Sequence, residues 1–81
     1  MKITLDVYLP ASGRCYEVVV ESDTQLHQLT PLIAQAVERS AGELFHADDA
    51  ILCDRQSGNI FDINMTPDGL GLKNGSAVML I

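Results

Sequence analysis

Residues 64–81, NMTPDGLGLKNGSAVMLI, decide the fold expected for this chain. They combine a turn-rich segment, the run Gly-Leu-Lys-Asn-Gly-Ser and a terminal series of apolar residues. The Asn74-Gly75 pair is typical of a tight chain reversal, because both residue types tolerate left-handed backbone geometry. Leu72, just before it, is an apolar side chain that can close the end of a core. The sequence therefore predicts a turn and then a final strand.

Successive side chains of a strand point to opposite faces of the sheet, so the residues of this final strand divide into two sets. We expect Val78 and Leu80 to enter the core, while Ala77, Met79 and Ile81 share the opposite face. No nucleophile, base or phosphate-loop motif accompanies them, so the function has to be sought in binding and not in catalysis.

Composition limits the class of protein. The 81 residues make one small domain, and 47% of them are apolar, which is enough for one core. The net charge of -6 disfavours nucleic acid or an anionic membrane as the partner. We find no signal-peptide pattern and no apolar run of the ~20 residues that span a bilayer. With two widely spaced cysteines, expected to be free thiols, the sequence predicts a cytoplasmic protein.

The first part of the chain predicts a hairpin. Residues 1–9 alternate strictly, with Ile3, Leu5 and Val7 on one face. Residues 10–13, Pro-Ala-Ser-Gly, form a turn, and residues 14–21 alternate again. Two such strands make an antiparallel pair with one solvated face.

The apolar spacing changes to a helical period after residue 24. Asp23 or Thr24 is the expected N-cap, and Gly42 the expected C-cap. Pro31 leaves two alternatives: a single helix from about Gln25 with an irregular first half, or a helix beginning at Pro31. We favour the first because the apolar stripe already begins at residue 26.

The remaining chain predicts short elements. Residues 43–49 are an acidic connection, 50–53 a third strand, 54–59 a hairpin loop, and 60–63 a brief fourth strand. Residues 66–69 form a turn or a single helical turn. A right-handed crossover then places the last strand beside and parallel to the first. The expected class is α+β, a mixed four- to five-stranded sheet with one helix across one face, in ββαββ order.

This order resembles the β-grasp fold of ubiquitin. The likeness rests on the second strand running into the helix as VVVESDT (18–24), the Ser57-Gly58 turn before Ile60 and Phe61, and the tail 66–81. Among ubiquitin-like proteins the chain is most similar to the small YukD/EsaB-type proteins of type VII-like (WXG100) secretion systems. That similarity implies a cytoplasmic, bacterial accessory of the secretion apparatus that binds proteins and is not an enzyme.

The resemblance also implies what to expect of the tail. Conjugated ubiquitin-like proteins and sulfur carriers end in Gly-Gly, whereas this sequence ends at Ile81, so we expect neither conjugation nor sulfur carriage. A small β-grasp subunit of a multicomponent enzyme, such as a bacterial oxygenase, is the alternative function. Gene neighbourhood distinguishes the two.

Ubiquitin-like domains commonly bind partners through an apolar patch on the last strands. The predicted partner-binding residues are Leu52, Met79 and Ile81, and Leu52 belongs to this patch only if Ile51 and Cys53 are core. If the register slips by one residue, Leu52 is core instead. We expect a monomer or weak homo-oligomer that binds protein and has no cofactor.

The other polar and reactive residues predict no chemistry. His27 and His46 are expected in solvent, with no ligand spacing that would suggest a metal. Glu43, Asp48 and Asp49 form an acidic cluster, read as a solvated loop or as a docking surface for a basic partner. Cys15 and Cys53 have no flanking base, and we expect both to be buried or half-buried.

Overall fold

The computed structural model of the chain describes residues 1–41 and 50–81. Its elements are the strands β1 (Lys2–Leu9) and β2 (Arg14–Glu21), the helix α1 (Leu26–Ala41), and the strands β3 (Leu52–Asp54) and β4 (Ser76–Leu80). The predicted cap Gly42, the connection 43–49 and His46 lie outside the described residues.

The N-terminal hairpin is confirmed. β1 and β2 pair antiparallel without interruption from Lys2↔Glu21 to Leu9↔Arg14. The amide of Gly13 donates to the Leu9 carbonyl at 2.9 Å, and Gly13 has a φ of 69°. This left-handed geometry explains why glycine ends the turn.

The helix is continuous through Pro31, so the alternative of a helix starting at Pro31 is wrong. The predicted N-caps Asp23 and Thr24 are wrong as well. The amides of Leu26 and His27 donate instead to the backbone carbonyls of Met65 and Ile63, both at 2.9 Å. Because a distant loop satisfies these first-turn donors, no local side chain is needed to cap them.

The sheet has the strand order β2-β1-β4-β3, and β4 runs parallel to β1 as predicted. Register places Val7 opposite Val78 and Leu52 opposite Leu80. The helix packs across one face with an apolar stripe, and the core between helix and sheet contains the buried residues Ile3, Leu5, Val7, Leu9, Val20, Leu26, Leu29, Ile33, Ala34, Val37, Leu52, Val78 and Leu80.

The predicted strand 60–63 is wrong, and among the described residues the sheet has four strands. Only an isolated bridge between Cys53 and Ile60 remains of it. The chain turns at Asp62, whose Oδ1 accepts the Asn64 amide at 2.9 Å. That turn carries the carbonyl of Ile63 to the start of α1, where it is used as a helix cap.

The tail folds as the opening stretch predicts. Gly75 has a φ of 86°, and its amide donates to the Thr4 carbonyl at 2.7 Å. The Thr4 amide in turn donates to Asn74 Oδ1 at 2.6 Å. These two bonds fix the turn to β1, so β4 begins in register beside it. Within the described part of the chain, no helix has the length and apolarity needed to cross a membrane.

Candidate partner-binding surface

The face of the sheet opposite α1 carries an apolar strip at its β4–β3 side. Val78 and Leu80 are fully buried toward the helix, so the alternate residues of β4 point to the open face. Ile51 and Ile81 exchange two backbone hydrogen bonds of 2.9 Å, which makes them direct neighbours. Their exposures are 42% and 51%. With the half-buried Met79, these two isoleucines form what we call the apolar strip.

Leu52 is not part of this strip, and its predicted place on the open face is wrong. It is 3% exposed and pairs with Leu80, both on the helix side of the sheet. The strand is therefore shifted by one residue from the register that places Leu52 on the open face. Ile51 occupies that exposed position instead. Met79 and Ile81 alternate with the buried Val78 and Leu80 and so lie on the open face, while their role in binding a partner stays a prediction.

Ile51 also belongs to a groove that separates β3 from the first half of α1. The groove encloses about 240 Å³ and is mostly apolar. Ile60 and Ile63 are exposed there, although the sequence had suggested a strand for them. The signal that could have found them is composition, since two isoleucines in a segment rich in Asn and Asp are unusual in solvent. The lining residues are Leu26, His27, Thr30, Pro31, Ala50, Ile51, Leu52, Ile60, Phe61 and Ile63.

The other half of the open face is polar. The Arg55 guanidinium lies over the Tyr8 ring, 4.5 Å from its centroid. Its Nη1 is 3.8 Å from Asp6 Oδ2 and donates to Cys15 Sγ at 3.4 Å. Each of these contacts is exposed and contributes at most about 1 kcal/mol. Their effect is to cover β1 with charge, which separates the apolar strip from the exposed Val19 on β2.

Potential metal-ligand side chains are scattered in the part of the chain that the structure describes. Among residues 1–41 and 50–81, no three His, Cys, Asp or Glu side chains are grouped to hold a metal ion. His27 is exposed, and its Nε2 lies 2.8 Å from Gln25 Oε1. The predicted acidic cluster of Glu43, Asp48 and Asp49 lies outside the described residues.

The two cysteines are free and have different environments. Cys53 is buried, as expected, whereas Cys15 is exposed, so the prediction for Cys15 is wrong. Burial raises the pKa of the Cys53 thiol, and the charge of Asp54 raises it further. Cys53 therefore keeps its proton and donates weakly to the Met79 carbonyl at 3.5 Å, which suits a structural thiol.

No protein-family model matches the sequence, and no curated protein does. Solved structures match it well. The EccD5 ubiquitin-like domain from Mycobacterium xenopi superposes with a TM-score of 0.84 at 14% identity, covering 100% of this chain and 93% of that one. The ubiquitin-like domain of Plasmodium falciparum Dsk2 superposes with a TM-score of 0.74 at 18% identity, covering 99% and 96%.

A further neighbour is the ubiquitin-like domain of the Mycobacterium tuberculosis type VII secretion system protein EccD1. Its TM-score is 0.73 at 12% identity, with 96% of this chain and 97% of that chain covered. At such low identity the likeness establishes the fold. The chain has the ubiquitin-like β-grasp fold that the order of its elements and its tail predicted.

Proposed function

We propose that this protein is a non-catalytic interaction module that binds a protein partner through the apolar strip of Ile51, Met79 and Ile81. The observation that carries the proposal is the exposure of two adjacent isoleucines, Ile51 and Ile81, beside the polar residues of β1. Contiguous exposed apolar residues with a polar rim are typical of protein interfaces. Met79 suits such a surface because its thioether side chain adapts to the shape of a partner.

The strip is well placed for binding. It lies on the rigid strand β4 and on Ile51, which two backbone hydrogen bonds hold to Ile81. The groove beside Ile51 adds a recess for a partner side chain. Asp6 and Arg55 border the strip on the β1 side and supply polar contacts at its rim.

Within the cell, we assign the module to the cytoplasm as an accessory of a type VII-like secretion system, in the manner of the YukD/EsaB-type proteins. This part of the proposal is supported by a structural neighbour from a type VII secretion protein. The exposed free thiol of Cys15 fits a reducing compartment.

Affinity capture from the source cell, with quantitative mass spectrometry, tests both parts. The bait is the full chain, compared with the variants Ile51→Asp and Met79→Asp. Ala11→Asp, in the exposed turn between β1 and β2, introduces the same charge far from the strip and serves as control. Amide NMR spectra check that every variant is folded.

We expect secretion-system components to be enriched by the wild-type chain and the control, and lost with both strip variants. Capture that survives Ile51→Asp and Met79→Asp would show that the strip is not the binding surface. Enrichment of oxygenase subunits instead would assign the chain to a multicomponent enzyme.

A further inference from the structure

The outer edge of β2 carries backbone groups that no other strand of the described sheet pairs with. β2 is terminal in the order β2-β1-β4-β3. At the opposite end, the edge of β3 is met by other backbone: the Asp54 amide donates to the Asn59 carbonyl at 2.9 Å, and the Phe61 amide to the Leu52 carbonyl at 3.2 Å. Within the described residues, the only backbone bond from outside the sheet to β2 is that of Thr24 to the Glu21 carbonyl, at the strand's end.

The pairing of β2 with β1 determines which of its backbone groups point outward. The Ser22 amide donates to the Met1 carbonyl at 2.8 Å, so this position is a hydrogen-bonded pair. Such pairs alternate along an antiparallel ladder. Tyr16, Val18 and Val20 therefore bond to β1, while the N–H and C=O groups of Cys15, Glu17 and Val19 point away from the sheet. We call these outward groups the β2 edge.

Within residues 1–41 and 50–81, this strand lacks the structural features that usually protect the edge of a sheet. It is eight residues long, without Pro, Gly or an interruption of register. Val19 is 61% exposed. Long, regular edge strands with free backbone groups readily pair with another strand. On the strand itself, the feature that restricts pairing is the negative charge of Glu17 and Glu21.

We propose that the β2 edge binds an extended, basic segment of a protein partner by adding it to the sheet as an antiparallel strand. The negative charge of β2 favours a basic segment over other partners. The side chains of Glu17 and Glu21 lie on the open face beside the outward backbone groups. A second copy of the chain is disfavoured, because antiparallel pairing of β2 with itself gathers four glutamates on one face, in a molecule of net charge -6. A strand with Lys or Arg opposite these positions replaces that repulsion with attraction.

Antiparallel pairing with β2 determines which residue type the partner segment needs at each position. Opposite Glu21 and Glu17 it carries basic residues four positions apart. Between them, the residues opposite Val20 and Val18 face the helix side, where Val18 is half-buried and packs against the core. Apolar β-branched residues fit there. The minimal sequence is Lys-Val-Thr-Val-Lys, with its Thr opposite Val19.

The test is a titration of the full chain with this peptide, acetylated and amidated, followed by amide NMR and hydrogen exchange. The bound peptide is expected to protect the outward amides of Glu17 and Val19 from exchange, and to leave that of Cys15, beyond the end of the peptide, unprotected. The amides of Tyr16 and Val18 are expected to be protected already in the free protein, because they bond to β1.

Two N-methylated peptides form a matched pair. Methylation of the Thr amide, which points to the protein, should weaken binding at least tenfold. Methylation of the amide of the second Val, which points away, should leave binding within about twofold. Equal effects of the two would overturn the proposal, since strand addition requires the difference.

The charge part is tested with the double variant Glu17→Lys, Glu21→Lys. Affinity for the Lys peptide should fall about tenfold, because two cross-strand attractions become repulsions. Glu38→Lys, on the helix, is the control for a general change in charge and should have little effect. The proposal is overturned if the shifts centre on Ile51, Met79 and Ile81, if a Glu-for-Lys peptide binds as well, or if the chain pairs with itself and ignores the peptide.

Discussion

Leu29 and Leu32 lie three residues apart on α1, yet the sheet contacts only one of them. Leu29 is 4% exposed and Leu32 is 60% exposed. Leu29→Ala should lower the free energy of unfolding by about 2–5 kcal/mol, because it leaves a cavity in the core. Leu32→Ala, a matched change at an exposed position, should alter it by less than about 0.5 kcal/mol. Urea unfolding measures both. Similar losses would mean that the helix is rotated from its described orientation.

Asp54 is a carboxylate whose local hydrogen bonds affect its titration. Ser57 donates to Asp54 Oδ2 from its hydroxyl at 2.7 Å and from its amide at 2.9 Å. These bonds, the hydroxyl first, lower the pKa of Asp54. A lowered folded-state pKa means that this contribution to stability is complete above the pKa of the unfolded chain. It is lost as the pH falls through the folded-state value.

Ser57→Ala should therefore raise the pKa of Asp54 toward its ordinary value, since it removes the largest cause of the shift. An NMR titration of the carboxyl carbon measures this change. Ser12→Ala removes a turn hydroxyl that bonds a carbonyl and is the control. An unchanged Asp54 titration in Ser57→Ala would show that the backbone amide alone lowers the pKa.

The last strand has no polar residue after Ser76, so its two faces were assigned from strand geometry, with Val78 and Leu80 expected in the core and Met79 and Ile81 opposite. The same reasoning failed at residues 50–53, Ala-Ile-Leu-Cys, where four small or apolar residues likewise give no alternation to read. Only the pairing of Ile51 with Ile81 and of Leu52 with Leu80 decides which side chain is buried. That pairing is a long-range property, so the exposed member of the strip could not be chosen from the local sequence.

At the scale of elements, α1 contains a proline beyond its first turn. Pro31 is exposed and supplies no amide to the His27 carbonyl, four residues before it. Pro31→Ala should stabilise the fold by about 2 kcal/mol, because the gain of about 3 kcal/mol in helix propensity is offset by about 1 kcal/mol from a more flexible unfolded chain. The urea midpoint reports the change.

The matched control is the same substitution at Pro67, a proline outside the helix. Pro67 is buried in the turn before the last strand, so Pro67→Ala should destabilise the protein. A stabilising effect of both substitutions would mean that the helix has no special intolerance at residue 31. A destabilised Pro31→Ala would indicate that the Pro31 ring packs in the groove more strongly than its exposure suggests.

The start of α1 shows why element boundaries were less predictable than element types. The helical spacing of the apolar residues could be recognised from residue 26, and the helix begins there. Its cap could not be recognised in the local sequence. The amides of Leu26 and His27 donate to carbonyls that lie some forty positions further along the chain. The same loop turned residues 60–63 away from the strand expected for them. Residues whose backbone carbonyls cap a distant helix carry no local sequence pattern that indicates this role.

At the scale of the whole molecule, the topology followed from the order of elements and the handedness of crossovers. The consequence of that topology for the open edge of β2 depends on net charge. At pH 7 the charge of -6 separates copies of the chain. Near the sequence pI of about 4.5 this repulsion vanishes. The free backbone groups of the β2 edge can then pair between copies.

We therefore expect light scattering to rise reversibly as the pH is lowered from 7 toward 4.5, the sequence pI. Val19→Lys places a charge on the edge and should suppress the rise. Ala11→Lys adds the same charge in the turn after β1, away from the outward groups, and should suppress it much less. Equal suppression by both variants would mean that net charge alone governs association. A difference between them would locate the association at the edge, because a charge on an outward strand position opposes pairing directly whereas a remote charge acts only through the overall potential.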